Sequence, residues 1–226
     1  MCGKFTQMAS WRRVHDYSGF FSKAPEDAAE ADSVETVTPM RMASVICLGA
    51  DGKREVREMR WGIADRRAKT PAERPKHIHA RAETIDELPS FAEIFAHQRG
   101  LIVAATFNEG EEITPTKTRQ HVITPRDGQP LAIAVIWERW IHRDEGELLT
   151  FAMVTTPANA LISKITDRMP AIIRPEDWPV WLGETSAPLL DVKALLKPCE
   201  GDWEMAPQAK AAGPAPGKPG YQADLF

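Results

Sequence analysis

Three apolar runs in the middle of the chain, LIVAATF (101–107), LAIAVIW (131–137) and LLTFAMVTT (148–156), constrain the fold most. Each is short, rich in β-formers and largely apolar, which predicts buried strands. Two further runs, ASVICLG and REVREMRW, flank ADGK and read as a β-hairpin with Asp51-Gly52 in its turn. Helical spacing appears between and after the strands. PSFAEIFAHQ sets Phe91, Ile94 and Phe95 on one face with Ser90 as an N-cap, and PEDWPVWL and SAPLLDVKALLK read similarly. Strands that do not alternate regularly with helices predict an α+β protein rather than a doubly wound α/β sheet.

The 226 residues are 43% apolar, enough for a sizeable core. From Ala206 onward, APQAKAAGPAPGKPGYQADLF is too rich in Pro, Ala and Gly to fold by itself, so a domain is expected over 1–205 and a tail over 206–226. No apolar run approaches the ~20 residues of a membrane span and no signal-peptide pattern opens the chain, which predicts a cytoplasmic protein without membrane contact. Cys2, Cys47 and Cys199 are an odd number without CxxC spacing, so neither a disulfide framework nor a zinc site is indicated. His77 and His79 would share a face of a strand and could supply two metal ligands, but no third follows at sensible spacing. Phosphate-binding glycine loops and GxSxG are absent, and no cofactor is expected. A net charge of -4 argues against nucleic-acid binding by bulk charge. A local excess remains between Arg60 and Arg81, where Arg66, Arg67, Lys69, Arg74 and Lys76 face only Asp65 and Glu73. Such a segment suits a groove for single-stranded DNA.

The chain opens MCGKFTQ. Removal of Met1 would leave Cys2 with an α-amine and a thiol on adjacent carbons. An α-amine with a pKa near ~8 is partly neutral at cellular pH and condenses with an aldehyde to an imine. The neighbouring thiol can then close a five-membered thiazolidine, an intramolecular step with a large proximity advantage.

Four stretches accompany this start: MRWG (59–62), HARAET (79–84), ATFNEGEE (105–112) and ITDRMPAII (165–173). With MCG, and in this order, they resemble the SOS response-associated peptidase (SRAP) family from Met1 to about Trp181. The resemblance implies a central, barrel-like antiparallel β core with flanking helices. It also implies a DNA-damage protein whose N-terminal cysteine crosslinks to the ring-opened aldehyde of abasic sites in single-stranded DNA. It further implies Glu109 as general acid and base at a strand end, Arg81 as a phosphate contact, and Lys4, standing where arginine is common, as a further DNA contact; Arg66 and Arg67 join them as DNA contacts through the local positive excess. Trp61-Gly62 reads as structural support. The peptidase activity in the family name would amount to removal of Met1 from the protein itself.

Two positions depart from the family. His79 stands where asparagine is usual, and Thr166 where histidine is usual; a threonine hydroxyl cannot shuttle protons near neutral pH as imidazole does. Either His79 carries the imidazole function from the other side of the pocket, or the site has drifted to a DNA- or clamp-binding module. An N-terminal-nucleophile amidohydrolase is a third reading. The family's aromatic wedge is missing from IADRRAKT. Finally, Gln222, Asp224, Leu225 and Phe226 resemble the peptide that docks repair proteins on the bacterial β sliding clamp. The protein is expected to be a monomer.

Overall fold

The computed structural model describes residues 2–8, 34–65, 67–70, 72–73, 75–144 and 146–208. Arg66, Arg74 and the C-terminal peptide with Gln222, Asp224, Leu225 and Phe226 lie outside the described residues. The strands are β1 (Lys4–Met8), β2 (Val34–Val37), β3 (Met42–Leu48), β4 (Arg54–Trp61), β5 (His79–Arg81), β6 (Arg99–Thr114), β7 (Lys117–Pro125), β8 (Leu131–His142), β9 (Gly146–Pro157), β10 (Arg168–Pro170) and β11 (Trp203–Pro207). Among the described residues, three short α-helices, α1 (Ala92–His97), α2 (Trp178–Leu182) and α3 (Leu189–Ala194), accompany the strands in an α+β architecture.

Successive pairings β9–β4, β4–β3, β3–β6, β6–β8 and β8–β9 close a ring. Two of its seams are short. β3 meets β6 only at Ile46↔Leu101 and Cys47↔Gly100, and β4 meets β9 only at Arg60↔Thr150 and Trp61↔Phe151. The ring is therefore barrel-like without being a regular barrel. Its pairings are antiparallel except that β4 and β5 both run parallel to β9.

The ring explains why the three central runs are apolar throughout. On β8, Leu131, Ile133 and Val135 point into the ring beside Phe5, Met59, Phe107 and Phe151, while Ala132, Ala134 and Ile136 face the helices with Phe91, Phe95, Trp178 and Trp181. β6 and β9 divide in the same way, with Ile102 and Met153 inside and Leu101 and Val154 outside. A strand covered on both faces has no solvent side on which to alternate.

The β3–β4 hairpin forms as expected, with Gly52 at φ 74° in its turn. α1 starts later than Ser90. Phe91 is its N-cap, and its ring has no acceptor for a capping bond; the Leu88 carbonyl takes the amides of Phe91 and Ala92. The strand beginning at 101 also proves longer than its apolar stretch: β6 spans 16 residues because β7 pairs along its acidic half, from Phe107↔Ile123 to Thr114↔Lys117. At the other end of the domain, β11 pairs with β7 and runs past position 205, where the composition changes.

Gly62 joins β4 to the segment leading to β5. It has φ +120°, and a Cβ there would lie 2.5 Å from Pro75 Cβ. Both the left-handed backbone and the overlap oppose any side chain. Gly62→Ala is expected to cost about 1–3 kcal/mol, read as a lower urea midpoint at unchanged m-value.

Candidate active site

Cys2 precedes β1, which lies against β6 with Lys4 opposite Asn108. This pairing brings Cys2 to Glu109. The Cys2 side chain has no exposed surface; its Sγ donates to the Lys4 carbonyl at 3.3 Å and accepts from the Asn108 backbone. Burial, and then the Glu109 charge, hold the thiol well above its ordinary pKa.

Glu109 is not at a strand end. It lies inside β6, on the inward face, fully buried. Burial pushes its carboxyl up to about 7, and the nearby Asp167 carboxylate adds to that; the Cys2 backbone N–H, which donates to it, acts in the opposite direction. A carboxyl near 7 is half-protonated at neutral pH and can both give and take a proton.

His79 approaches from β5. Its Nε2 donates to the Cys2 carbonyl at 2.6 Å, and burial lowers its pKa, so the ring is neutral at neutral pH with its proton on Nε2. Trp61 supports it: the indole donates to the Ile78 carbonyl at 2.8 Å, and its ring meets His79 edge-on at 6.0 Å and stacks with Phe151 at 6.1 Å. His77 instead packs edge-on against Phe91 at 4.8 Å, so the two histidines serve different partners.

The remaining residues frame this centre. Thr166 is half-buried, with its amide on the Ile162 carbonyl, in the loop that carries Asp167 towards Glu109. Arg81 ends β5, exposed and two residues from His79, on the same side of the strand. Lys4 is engaged, its Nζ donating to Gln208 Oε1 at 2.7 Å. Arg67 lies apart from Cys2. It is exposed, its amide held by Asp65, on a cavity of about 340 Å³ with Lys76, His77 and Glu93 in its lining. The structure thus brings together Cys2, Glu109 and His79, with the Thr166 loop beside them, and leaves Arg67 elsewhere.

One pair was missed by reading the motifs singly. Arg168 of DRMP grips Glu83 of ARAET through its two terminal guanidinium nitrogens, Nη1 and Nη2, at 2.5 and 2.9 Å, and Nη2 also donates to the Thr155 carbonyl at 2.7 Å. It ties the loop beyond Thr166 to the strand bearing His79 and Arg81. The opposite charges of the two motifs were the available signal. Arg168 holds the Glu83 carboxyl below the usual range, so the pair stabilises the fold above that range and its contribution disappears as pH falls through the lowered value. Glu83→Gln is expected to cost about 1–3 kcal/mol at neutral pH, since Arg168 is buried and Glu83 half-exposed, with the loss shrinking in acid. Thermal melts of both proteins against pH check this.

Among the described residues no helix is long and apolar enough to cross a membrane. The family model described as SOS response associated peptidase (SRAP) matches residues 1–213. The chain is 28% identical over 202 residues to the abasic site processing protein YoqW of Bacillus subtilis, covering 89% of each chain. It is likewise 28% identical to the abasic site processing protein YobE of the same organism, over 89% of this chain and 91% of the relative. A crystal structure of a protein from Bacteroides thetaiotaomicron superposes with a TM-score of 0.73 at 25% identity, over 91% of both chains. One from Bordetella bronchiseptica shares the fold at TM-score 0.73, with 22% identity over 92% of this chain and 100% of the other. With a family model covering nearly the whole chain, and with this order of motifs converging on Cys2, the protein belongs to the SOS response-associated peptidase family.

Proposed function

We propose that this protein processes abasic sites in DNA, as its named relatives do, and that it does so by covalent capture through Cys2 after loss of Met1. The observation that carries the reading is the meeting of Cys2 N–H with a buried carboxyl whose pKa is about 7. Loss of Met1 turns that nitrogen into a primary amine already in contact with Glu109. The amine adds to the sugar aldehyde; Glu109 gives its proton to the carbinolamine hydroxyl, which leaves as water; Sγ then adds to the iminium carbon, whose C=N electron pair returns to nitrogen, while the thiol proton restores Glu109. Aldehyde and aminothiol become thiazolidine and water.

His79 orients Cys2 through the carbonyl, and neutral as it is, adds no charge that would hold the amine protonated. Arg81 is assigned to a phosphate of single-stranded DNA. Thr166 lines the pocket without an acid-base part. Peptidase activity is confined to removal of Met1. Gln222, Leu225 and Phe226 are proposed to dock on a sliding clamp.

One observation favours a second reading, a DNA-binding module that no longer crosslinks: Cys2 has no exposed surface. Incubating the Met1-processed protein with single-stranded DNA bearing one abasic site separates the two. A heat-stable adduct, absent with Cys2→Ala, supports capture; retention on the DNA without an adduct supports the module.

A further inference from the structure

The outer face of the sheet beside Cys2 carries two donors under one cover. Lys4 of β1 stands directly opposite Asn108 of β6, Val122 of β7 opposes Asn108 from the other side, and Ala206 of β11 follows opposite Val122. Opposed residues of antiparallel strands leave the same face of a sheet, their Cβ atoms about 4.5–5.5 Å apart. Phe107 and Glu109 point inward, so this row points outward. Asn108 is nevertheless only 2% exposed. Its Nδ2 is buried and makes no hydrogen bond among the described residues. Buried amide donors normally find acceptors, so a vacant one next to an ammonium points to a ligand with oxygens.

What lies over Asn108 is the tie between Lys4 and Gln208, the residue that follows β11. Measured along the sheet, β1 and β11 are three strand spacings apart, roughly 14 Å. Lys4 Nζ still reaches Gln208 Oε1 at 2.7 Å. The two side chains therefore cross the outer faces of β6 and β7, over Asn108 and Val122. Gln208 is itself exposed, and its backbone N–H donates to the Gln120 carbonyl at 2.7 Å. Its side chain is a neutral amide, so the tie satisfies one ammonium hydrogen and leaves the charge uncompensated. An anionic oxygen offers the same acceptor together with the opposite charge.

We propose that Lys4 Nζ and Asn108 Nδ2 form a phosphate subsite for the DNA strand at Cys2, and that Gln208 closes it until a phosphate displaces the tie; this rests on the reading that the partner is DNA. The phosphate takes the ammonium from Gln208, and the Asn108 amide, uncovered, donates its vacant N–H to a second phosphate oxygen. Lys4 supplies charge and Asn108 supplies direction. Lys4 is two residues from Cys2, and the Asn108 backbone already meets Cys2 Sγ, so a phosphate held here lies beside the residue assigned to capture the sugar. Such a contact reads the backbone and no base, which suits a lesion that has lost its base.

The full chain is titrated with an undamaged oligothymidine strand, which carries no aldehyde and leaves capture by Cys2 out of the measurement. Gln208→Ala is expected to bind about threefold more tightly than wild type, and Gln208→Glu, whose carboxylate pairs with Lys4, about tenfold more weakly at low salt. In Lys4→Met both Gln208 substitutions should have no effect, and the slope of log affinity against log salt should flatten by about 0.7, the share of one phosphate on a single strand. Asn108→Leu should weaken binding severalfold with the slope unchanged, which separates a directed hydrogen bond from a charge. In nitrogen-15 spectra the Asn108 side-chain NH2 pair should shift on addition of inorganic phosphate, at lower concentration in Gln208→Ala than in wild type. Gln208→Glu that binds like wild type, or Gln208 effects that persist in Lys4→Met, overturns the proposal. If Asn108→Leu does not fold, the exposed Gln208 variants and the NH2 signals carry the test. Should no form bind the strand, the DNA reading falls and the NH2 pair alone decides: a shift with phosphate keeps the anion subsite, and none removes it.

Discussion

Cys2→Ser is expected to abolish the heat-stable adduct while keeping the imine. Serine retains the α-amine, so condensation with the aldehyde proceeds and Glu109 can still expel water. The weakly acidic hydroxyl does not close the ring as the thiol does, and the imine hydrolyses on denaturation. Borohydride, which reduces an imine to a stable amine, should therefore restore a covalent product with Cys2→Ser and also with Cys2→Ala. Without reductant, yields should fall below detection, because intramolecular closure by sulfur supplies the proximity advantage that makes the product last. Heat-stable adduct from Cys2→Ser without reductant would show that sulfur is not needed and would remove the thiazolidine from the mechanism.

Glu109→Gln is expected to separate activity from stability. The folded protein holds this carboxyl at about 7 against an ordinary 4.5. Because the folded value is the raised one, stability is fullest below the ordinary value and is lost as pH rises through the folded one. The difference corresponds to about 3 kcal/mol, so the wild type should melt several degrees lower above pH ~7 than at mildly acidic pH. The amide cannot ionise, and the variant should lose that dependence and be the more stable protein in alkali. Its adduct formation should fall by about 10²–10⁴-fold, the usual worth of a positioned acid-base group. The pH–rate profile should change as well. Wild type needs a neutral amine and a protonated carboxyl, giving a bell with limbs near ~7 and ~8; in the variant only the amine limb remains. A wild type whose melting temperature is flat across this range would contradict the buried, raised carboxyl.

Much of this fold was legible because its central strands are covered twice. LIVAATF, LAIAVIW and LLTFAMVTT could be recognised as strands from composition alone, and their lack of alternation already reflected two apolar faces. The continuation of β6 through EGEEIT was not legible, since those residues have little intrinsic strand preference and are held by pairing with β7. For the same reason Glu109 was placed at the end of a strand when it lies within one. Cys2, Glu109 and His79 were reached through ordered motifs, and they do converge. The Arg168–Glu83 pair was signalled only by the opposite charges of the two motifs, because spacing along the chain does not encode which motifs meet. The complete burial of Cys2 was likewise invisible, a chain end being ordinarily the least ordered part of a domain.

The contact between Lys4 and Gln208 has a consequence for biosynthesis. Cys2 emerges from the ribosome first, yet the strand that carries Glu109 is made about a hundred residues later, and the residue that clasps Lys4 about a hundred after that. Pairings so distant along the chain form slowly and late. The amino-terminal strand therefore gains its last clasp only when translation is nearly finished, and until then its end stays accessible.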